Sequence, residues 1–388
     1  MTKARWWRRL ACAFLLGGAA PTALGPAAPV ASERDGGLLV TVAEVGADHA
    51  VLWLRPGAGE RLRVRVGDRT LEALPQPDWD DIVRLLWSAD LGGAGHCRDV
   101  EDGYPIFHAM ARQRADFFLF AGDTIYADHV CGGPPHVTGS DVVARTLQAF
   151  RAKHRYNRAD PAVQEFLRGT AVYAIWDDHE VTNNFSGPAQ ALMPIGRHAF
   201  RDYWAIEGPA EEPDRLYRSV RWGRDLEVFI LDTRQYRSDN ARPDGADKTM
   251  LGVEQRRWLL EHVSASGATW KLIVTSVPLG IFTGDDSWTS ANVLGYPRPG
   301  AGFAYERDLI LRTLRDRGVA GPLAARQGFP RFLDRRLHST SLGSLGLANN
   351  FGEILVDGDG LTAWIRDTSG AARATLHLTA DTARGDAS

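Results

Sequence analysis

The chain has 388 residues, a formal net charge of −3, and 44% apolar and 24% charged residues. This composition is typical of a globular protein with a sizeable core, and the length allows either one large domain or two. Because the net charge is near neutral and no long basic run follows the N-terminus, we do not expect binding to nucleic acids or membrane surfaces through bulk charge.

The first 32 residues have the pattern of a secretory signal peptide. Several basic residues precede an apolar run at 10–20, and small residues then continue to Ser32. The apolar run is too short to cross a bilayer, so we expect residues 1–32 to be removed on export and no membrane span to remain. The predicted location is periplasmic, cell-surface or secreted. Arg8-Arg9 suggests twin-arginine export, although Leu10-Ala11-Cys12 fits that motif poorly.

Two cysteines, Cys97 and Cys131, remain after the predicted signal peptide. In an oxidising compartment they could form a disulfide, but two unpaired thiols are equally compatible with the sequence. Neither cysteine lies in a CxxC pattern, so a structural zinc finger is not expected.

Residues 36–75 form a predicted short β module. Three segments alternate apolar and polar residues with turn residues between them, which indicates strands: Leu38–Val45, Ala50–Arg55 and Arg61–Val66. Because about 100 residues are needed for a complete sandwich domain, we expect this module to pack as an extension on the main domain.

From residue 81 onward, apolar strands alternate with amphipathic helices. The predicted strands are Ile82–Ser88, 116–121, Ala171–Trp176, Leu226–Leu231 and Trp270–Val274. The predicted helices are Ile106–Arg114, 141–157, 161–168, Gly252–Val263 and Tyr305–Arg317. Three further strands close the domain, Phe351–Val356, Leu361–Arg366 and Ala374–Leu378, and residues 381–388 are predicted to be disordered. Alternation of this kind predicts an α/β sheet whose functional loops lie at the carboxyl ends of the strands.

Three of the predicted strands are followed by an aspartate: Asp90, Asp123 and Asp178. Such an aspartate often only caps the next helix, and the run Asp177-Asp178-His179-Glu180 could be a salt-bridged turn. Charged groups at the end of a buried strand are nevertheless costly unless they are paired or bind metal. Carboxylate and imidazole groups are ligands for divalent and trivalent metals. Two metals about 4 Å apart could bridge a hydroxide and bind a phosphoryl group.

Several ordered motifs resemble the PhoD-type alkaline phosphatases, which are exported phosphomonoesterases and phosphodiesterases of the metallophosphoesterase superfamily. The motifs are Gly122-Asp123-Thr124-Ile125-Tyr126, Trp176-Asp177-Asp178-His179-Glu180-Val181 with Asn183-Asn184, and Leu231-Asp232-Thr233-Arg234-Gln235-Tyr236-Arg237. The resemblance implies a four-layer α/β/β/α sandwich over residues 81–380. It also implies a dinuclear metal site, with iron and calcium in some members, a metal-bound hydroxide as nucleophile, and a small-molecule phosphate ester as substrate.

The resemblance assigns roles to individual residues. Asp123 corresponds to the bridging metal ligand, and Tyr126 to a phenolate ligand of trivalent iron, although a core tyrosine is the alternative. Asp90 falls where some members use a cysteine ligand and others an aspartate. Asp178 corresponds to a ligand of the second metal, and His179 to the group that contacts the phosphoryl group or protonates the leaving oxygen.

Arg234 has two interpretations at this stage. It could orient the substrate, or it could form a structural salt bridge with Asp232, and the short spacing in Asp232-Thr233-Arg234 favours the salt bridge.

One motif of the superfamily is absent. A late strand ending in Gly-Asp-x-His or Gly-His-x-His should follow the helix Tyr305–Arg317, but Asp177-x-His179 is the only Asp-x-His pair in the chain, and His338 has no such partner. Loss of metal ligands usually lowers affinity or rate. Two hypotheses therefore stand, a metal-dependent phosphoric ester hydrolase and a catalytically impaired relative that binds a metal or a phosphate ester.

Overall fold

The computed structural model describes residues 39–45, 50–55, 82–92, 97–131, 135–206, 208–277, 279, 287–289, 301–319 and 350–380. The predicted signal peptide, the predicted strand Arg61–Val66, His338 and the predicted tail 381–388 lie outside this part of the chain.

The described residues form eleven strands and six α-helices. The strands are β1 (Leu39–Val45), β2 (Ala50–Arg55), β3 (Val83–Ser88), β4 (Phe117–Ala121), β5 (Ala171–Ile175), β6 (Arg218–Trp222), β7 (Leu226–Ile230), β8 (Trp270–Val274), β9 (Asn350–Asp357), β10 (Gly360–Asp367) and β11 (Ala372–Thr379). The helices are α1 (Ile106–Arg112), α2 (Leu147–Arg158), α3 (Pro161–Gly169), α4 (Met193–Tyr203), α5 (Gly252–Ala265) and α6 (Ala304–Asp316).

Helix α2 begins later than its pattern predicts, at Leu147 rather than near residue 141. Thr146 has an extended backbone, and its side-chain oxygen accepts a hydrogen bond from the Ala149 amide. A threonine in this arrangement is a favourable N-cap, so the helix begins directly after Thr146. The prediction of helix over residues 141–146 was wrong.

The strands form two principal sheets. The larger one has the order β11-β10-β9-β3-β4-β5, and the smaller one has the order β6-β7-β8. Strands β3, β4 and β5 run parallel to one another, and so do β7 and β8. The carboxyl ends of β3, β4 and β5 therefore meet at one edge of the large sheet, as the alternation of strands and helices predicts.

Side-chain alternation along the strands builds the layers. In β4, the Phe117 ring stacks on Trp222 of the small sheet at 4.7 Å, whereas the Phe118 ring meets Phe166 of α3 at 5.3 Å. In β7, Val228 belongs to the core between the sheets and Phe229 to the core beneath α5 and α6. Because successive side chains of a strand point to opposite faces, each sheet packs its partner sheet on one side and helices on the other. The predicted α/β sandwich is confirmed.

The N-terminal hairpin β1–β2 lies against the main body of the protein, since β1 contacts α3 and β5. The buried Thr41 hydroxyl accepts a hydrogen bond from Arg158 of α2, and that guanidinium lies 4.3 Å from the Trp204 ring. Cation–π and charge-assisted contacts of this kind are strong when water is excluded. The hydrogen bond from Arg158 to Thr41 connects the hairpin to α2, and the Trp204 ring holds the guanidinium that makes it. No helix in the described part of the chain is long and apolar enough to cross a membrane.

Candidate metal centre and active site

Asp90 and Asp123 occupy equivalent positions, just beyond the ends of the adjacent parallel strands β3 and β4. Both have left-handed backbone conformations, with φ of +63° and +51°. The two loops are hydrogen-bonded to each other, because the Leu91 amide donates to the Asp123 carbonyl at 2.8 Å and the Asp90 amide donates to the Gly122 carbonyl at 3.3 Å. Non-glycine residues in this conformation are uncommon and concentrate at functional sites, where the surrounding structure holds them.

The hydroxyl of Tyr126 connects the two carboxylates. It lies 2.7 Å from Asp90 Oδ1 and 3.3 Å from Asp123 Oδ2. Burial, followed by the charges of Asp123 and Asp90, raises the pKa of Tyr126 well above its ordinary value. The three predicted ligands Asp90, Asp123 and Tyr126 therefore converge, and a positive charge among them would favour the phenolate.

Asp178 and His179 join the same cluster from the end of β5. The His179 amide donates to Asp123 Oδ1 at 3.1 Å, and the Asn184 amide donates to Asp178 Oδ2 at 2.5 Å. Asp123, Asp178 and His179 each offer one ligand atom within 4.8 Å of the others. The structure thus brings all five predicted ligand and catalytic residues to one edge of the large sheet.

The charges of this cluster fit a cation. Burial, followed by repulsion from Asp177, Glu180, Asp178 and Asp90, raises the pKa of Asp123 well above its usual range. Burial also raises the pKa of Asp178, although Arg234 opposes that change. Buried carboxylates that repel one another are stabilised when a cation neutralises them. Oxygen donors with one imidazole suit divalent and trivalent metals. The residues present therefore match the metal ions that the family resemblance implies.

Glu180 is fully buried and connects the two loops that carry the ligand residues. Its carboxylate accepts hydrogen bonds from the Thr124 amide at 2.6 Å, the Thr124 hydroxyl at 2.7 Å and the Asp177 amide at 2.9 Å. Burial raises the pKa of Glu180 to about 7 despite these hydrogen bonds. Since its oxygens are occupied by the loops after β4 and β5, Glu180 holds those loops together.

The ion-pair partner of Arg234 differs from the predicted one. Arg234 is 1% exposed, and its Nε lies 2.6 Å from Asp177 Oδ1, with Nη2 3.6 Å from Asp178 Oδ1. The predicted salt bridge with Asp232 was wrong. Asp232 Oδ1 instead accepts hydrogen bonds from the Trp176 indole and from the backbone amides of residues 234 and 235. The geometry assigns Arg234 to positioning the 177–178 carboxylates, and its contact with substrate stays a prediction.

Asp128 is a site residue that the sequence patterns did not identify. Its Oδ1 lies 2.8 Å from His179 Nδ1, and its Oδ2 accepts a hydrogen bond from the Asn183 amide at 2.7 Å. Burial opposes the charge of Asp128, but the hydrogen bonds from His179 and His129 lower its pKa to about 2. Burial likewise opposes the protonated form of His179, yet its bond to Asp128 and the nearby carboxylates raise the pKa of the imidazole. Asp128 does not follow a strand directly, so only the fold of its loop brings it to His179.

Cys97 and Cys131 are joined by a disulfide. Cys97 lies beyond the loop that carries Asp90, and Cys131 follows the loop that carries Asp123. The disulfide therefore ties together two segments that lead away from the site.

Three comparisons show which known proteins this chain is similar to. The model of the family described as "PhoD-like phosphatase" matches residues 93–324, which is well over half of the chain. Alkaline phosphatase D of Bacillus subtilis (strain 168) is 26% identical over 251 residues, which cover 58% of this chain and 42% of that protein. The chain thus spans less than half of the length of this relative. A solved structure titled "Structure of PhoD" is similar in fold, with a TM-score of 0.56 and 18% identity over 79% of this chain and 70% of the other.

Proposed function

The chain belongs to the PhoD-like phosphatase family, and we propose that it is an exported, metal-dependent phosphoric ester hydrolase acting on small-molecule monoesters or diesters. One observation carries this proposal. Asp90, Asp123, Tyr126 and Asp178 converge from the ends of three adjacent parallel strands, and the His179 imidazole lies at the same edge.

The proposed ligands are the four oxygen donors Asp90, Asp123, Tyr126 and Asp178, with two metal ions, of which iron and calcium are our candidates. When bound, such ions supply Lewis-acid activation of water and neutralise the negative charge of the phosphoryl group. The carboxylates of Asp90 and Asp123 already lie within hydrogen-bond distance of the same Tyr126 hydroxyl, so little reorganisation is needed when a cation binds.

His179 is the proposed general acid and phosphoryl contact. Its Nδ1 lies 2.8 Å from Asp128 Oδ1, which orients the ring and favours the protonated form. A protonated imidazole beside a phosphate ester stabilises charge on the phosphoryl oxygens and donates a proton to the leaving oxygen. Asp128 is then a positioning residue that acts through His179.

Hydrolysis of p-nitrophenyl phosphate and of its bis ester tests the proposal. Purified full-length protein is loaded with iron and calcium and compared with Asp123→Asn, which keeps the side-chain volume but removes the charge. Asp316→Asn, at an exposed aspartate near the end of α6, is the matched control. We expect Asp123→Asn to lose about 100-fold or more in rate, since it removes the central ligand, and Asp316→Asn to retain full activity. Hydrolysis by the wild type no faster than by Asp123→Asn contradicts the proposal.

The second candidate function is that of a catalytically impaired relative that binds a metal or a phosphate ester. The absence of a late Asp-x-His pair from the sequence favours it. Elemental analysis separates the two candidates, because two tightly bound metal ions per chain that are lost in Asp123→Asn would argue against impairment, and one or none would support it.

Export is proposed from the first 32 residues alone. Fractionation of expressing cells, with N-terminal sequencing of the recovered protein, tests it. A mature N-terminus near residue 33 in the exported fraction is the expected result, and an intact N-terminus in the cytosol contradicts it.

A further inference from the structure

Three side chains next to the carboxylate cluster form a second set of potential ligands. Asp128, His129 and His179 each offer one donor atom, and these atoms lie within 4.8 Å of one another. Asp128 Oδ1 is 2.9 Å from His129 Nδ1 and 2.8 Å from His179 Nδ1. Two imidazole nitrogens thus converge on a single carboxylate oxygen.

This spacing suits a tetrahedral metal ion. An ion with bonds of about 2.0–2.1 Å to nitrogen and oxygen places its ligand atoms about 3.3–3.4 Å apart. Each contact to Asp128 Oδ1 therefore needs to open by only about half an ångström to admit the ion. One carboxylate and two imidazoles form a donor set typical of zinc and similar borderline metals, whereas the neighbouring set of three carboxylates and a phenol suits harder ions.

The segment that carries His129 is held firmly. The buried Lys153 ammonium donates hydrogen bonds to the carbonyls of His129 and Ser140. The Cys131 amide donates to that same Ser140 carbonyl at 2.9 Å, and Cys131 is tied to Cys97 by the disulfide. Buried support of this kind keeps a ligand in place before a metal arrives.

One side of the set is open to solvent. The His129 side chain is 40% exposed, whereas those of Asp128 and His179 are 12% and 13% exposed. Asp128 Oδ2 is kept in place by the Asn183 amide. Three protein ligands with one open position are typical of catalytic zinc sites rather than closed structural ones.

We propose that Asp128, His129 and His179 bind one zinc-class divalent cation, at a site separate from the ions held by Asp90, Asp123 and Asp178. The site shares Asp128 and His179 with the proposed active site. A cation on His179 Nδ1 would displace the proton that Asp128 holds there, so zinc binding and the acid role of His179 exclude each other. Occupation of the site is measured by metal binding alone, so its failure and the failure of the hydrolase proposal are distinguishable.

Titration with Zn²⁺ in the Asp123→Asn background tests the proposal, because this substitution weakens the carboxylate cluster and leaves the second set intact. Calorimetry should show one zinc ion per chain. Adding His129→Ala should lower the zinc affinity about 10-fold or more, since a ligand is lost. The control is His198→Ala, which removes an exposed histidine that also lies beside an aspartate, 3.7 Å from Asp202. It should leave the affinity unchanged.

Two further measurements guard against misfolding and against adventitious binding. His129→Gln keeps a polar side chain beside Asp128 without an imidazole, and it should lose zinc binding to the same degree. The visible absorption of Co²⁺, which reports nitrogen ligands in a distorted tetrahedral field, should appear in the Asp123→Asn protein and disappear with either His129 variant. Zinc affinity within about twofold of the parent in His129→Ala, or an equal loss in His198→Ala, overturns the proposal. Hydrolase activity in the wild type, together with no zinc bound by the Asp123→Asn protein, overturns the zinc site alone.

Discussion

Replacement of Arg234 by methionine should destabilise the protein strongly, because this guanidinium compensates two carboxylates beneath the site. Its Nε lies 2.6 Å from Asp177 Oδ1, its Nη2 3.6 Å from Asp178 Oδ1, and its Nη1 donates to the Phe185 carbonyl at 3.3 Å. Arg234 is 1% exposed, so water cannot take the place of the guanidinium once it is removed. Removing one partner of a buried charge pair leaves the other uncompensated and costs about 3–5 kcal/mol. We expect Arg234→Met to lower the free energy of unfolding by about that amount.

Urea denaturation near pH 7.5 in the presence of a chelator measures this effect without a contribution from bound metal. A double-mutant cycle with Asp177→Asn isolates the pair, and the coupling energy should be about 1.5–3 kcal/mol, the range for hydrogen bonds to charged groups. Arg234→Lys should fall between wild type and Arg234→Met, since an ammonium keeps the charge but lacks the planar fork. A loss below about 1 kcal/mol in Arg234→Met, or additive effects in the cycle, would refute the assignment of Arg234 to the support of these carboxylates.

Three further results are expected. Gly122→Ala should destabilise the protein by about 2 kcal/mol or more in urea titrations, because Gly122 has a φ of +107° and an added Cβ would lie 2.6 Å from the Cβ of Asp177. Gly245→Ala is the control, since no atom lies within 4 Å of the Cβ that it adds. Equal losses of stability in the two variants would contradict the steric argument. Replacing both Cys97 and Cys131 by alanine should lower the free energy of unfolding by about 3–4 kcal/mol, the chain-entropy value for their sequence separation of 34. An unchanged midpoint of unfolding would contradict a stabilising role of the disulfide. Adding Ca²⁺ at 100 times its dissociation constant to chelator-treated protein should raise the stability by about 2.7 kcal/mol, and an unchanged melting temperature at saturating Ca²⁺ would argue against a cation among the carboxylates.

The elements that the sequence did not reveal have weak local patterns. Strand β6 (Arg218–Trp222) reads Arg-Ser-Val-Arg-Trp and is half-buried throughout, so it carries little of the apolar character that identifies a strand. It is held by pairing with β7 at the edge of the small sheet. Helix α4 (Met193–Tyr203) begins with a proline in its first turn. Proline is favourable there in a folded helix but is read as a breaker in a sequence.

The candidate ligands were predictable because each follows a strongly apolar strand. Strands β3, β4 and β5 have core patterns that identify them directly, and parallel strands bring Asp90, Asp123 and Asp178 to the same edge of the sheet. The supporting residues were not predictable in this way. Their contacts join loops that have no periodic pattern, so their partners depend on how those loops fold.

The sequence by itself determined the order of strands and helices, the three aspartates at the strand ends and the motifs of a phosphatase family. These features are encoded locally, in hydrophobic periodicity and in short runs of residues. Only the tertiary structure decided that Arg234 pairs with Asp177, across 57 positions of the chain, and that Asp128 holds His179, across 51. Such pairs form because a buried charge is costly unless an opposite charge or a hydrogen-bonding group contacts it. The packing of the sheets decides which groups are adjacent, and the spacing along the chain does not specify them.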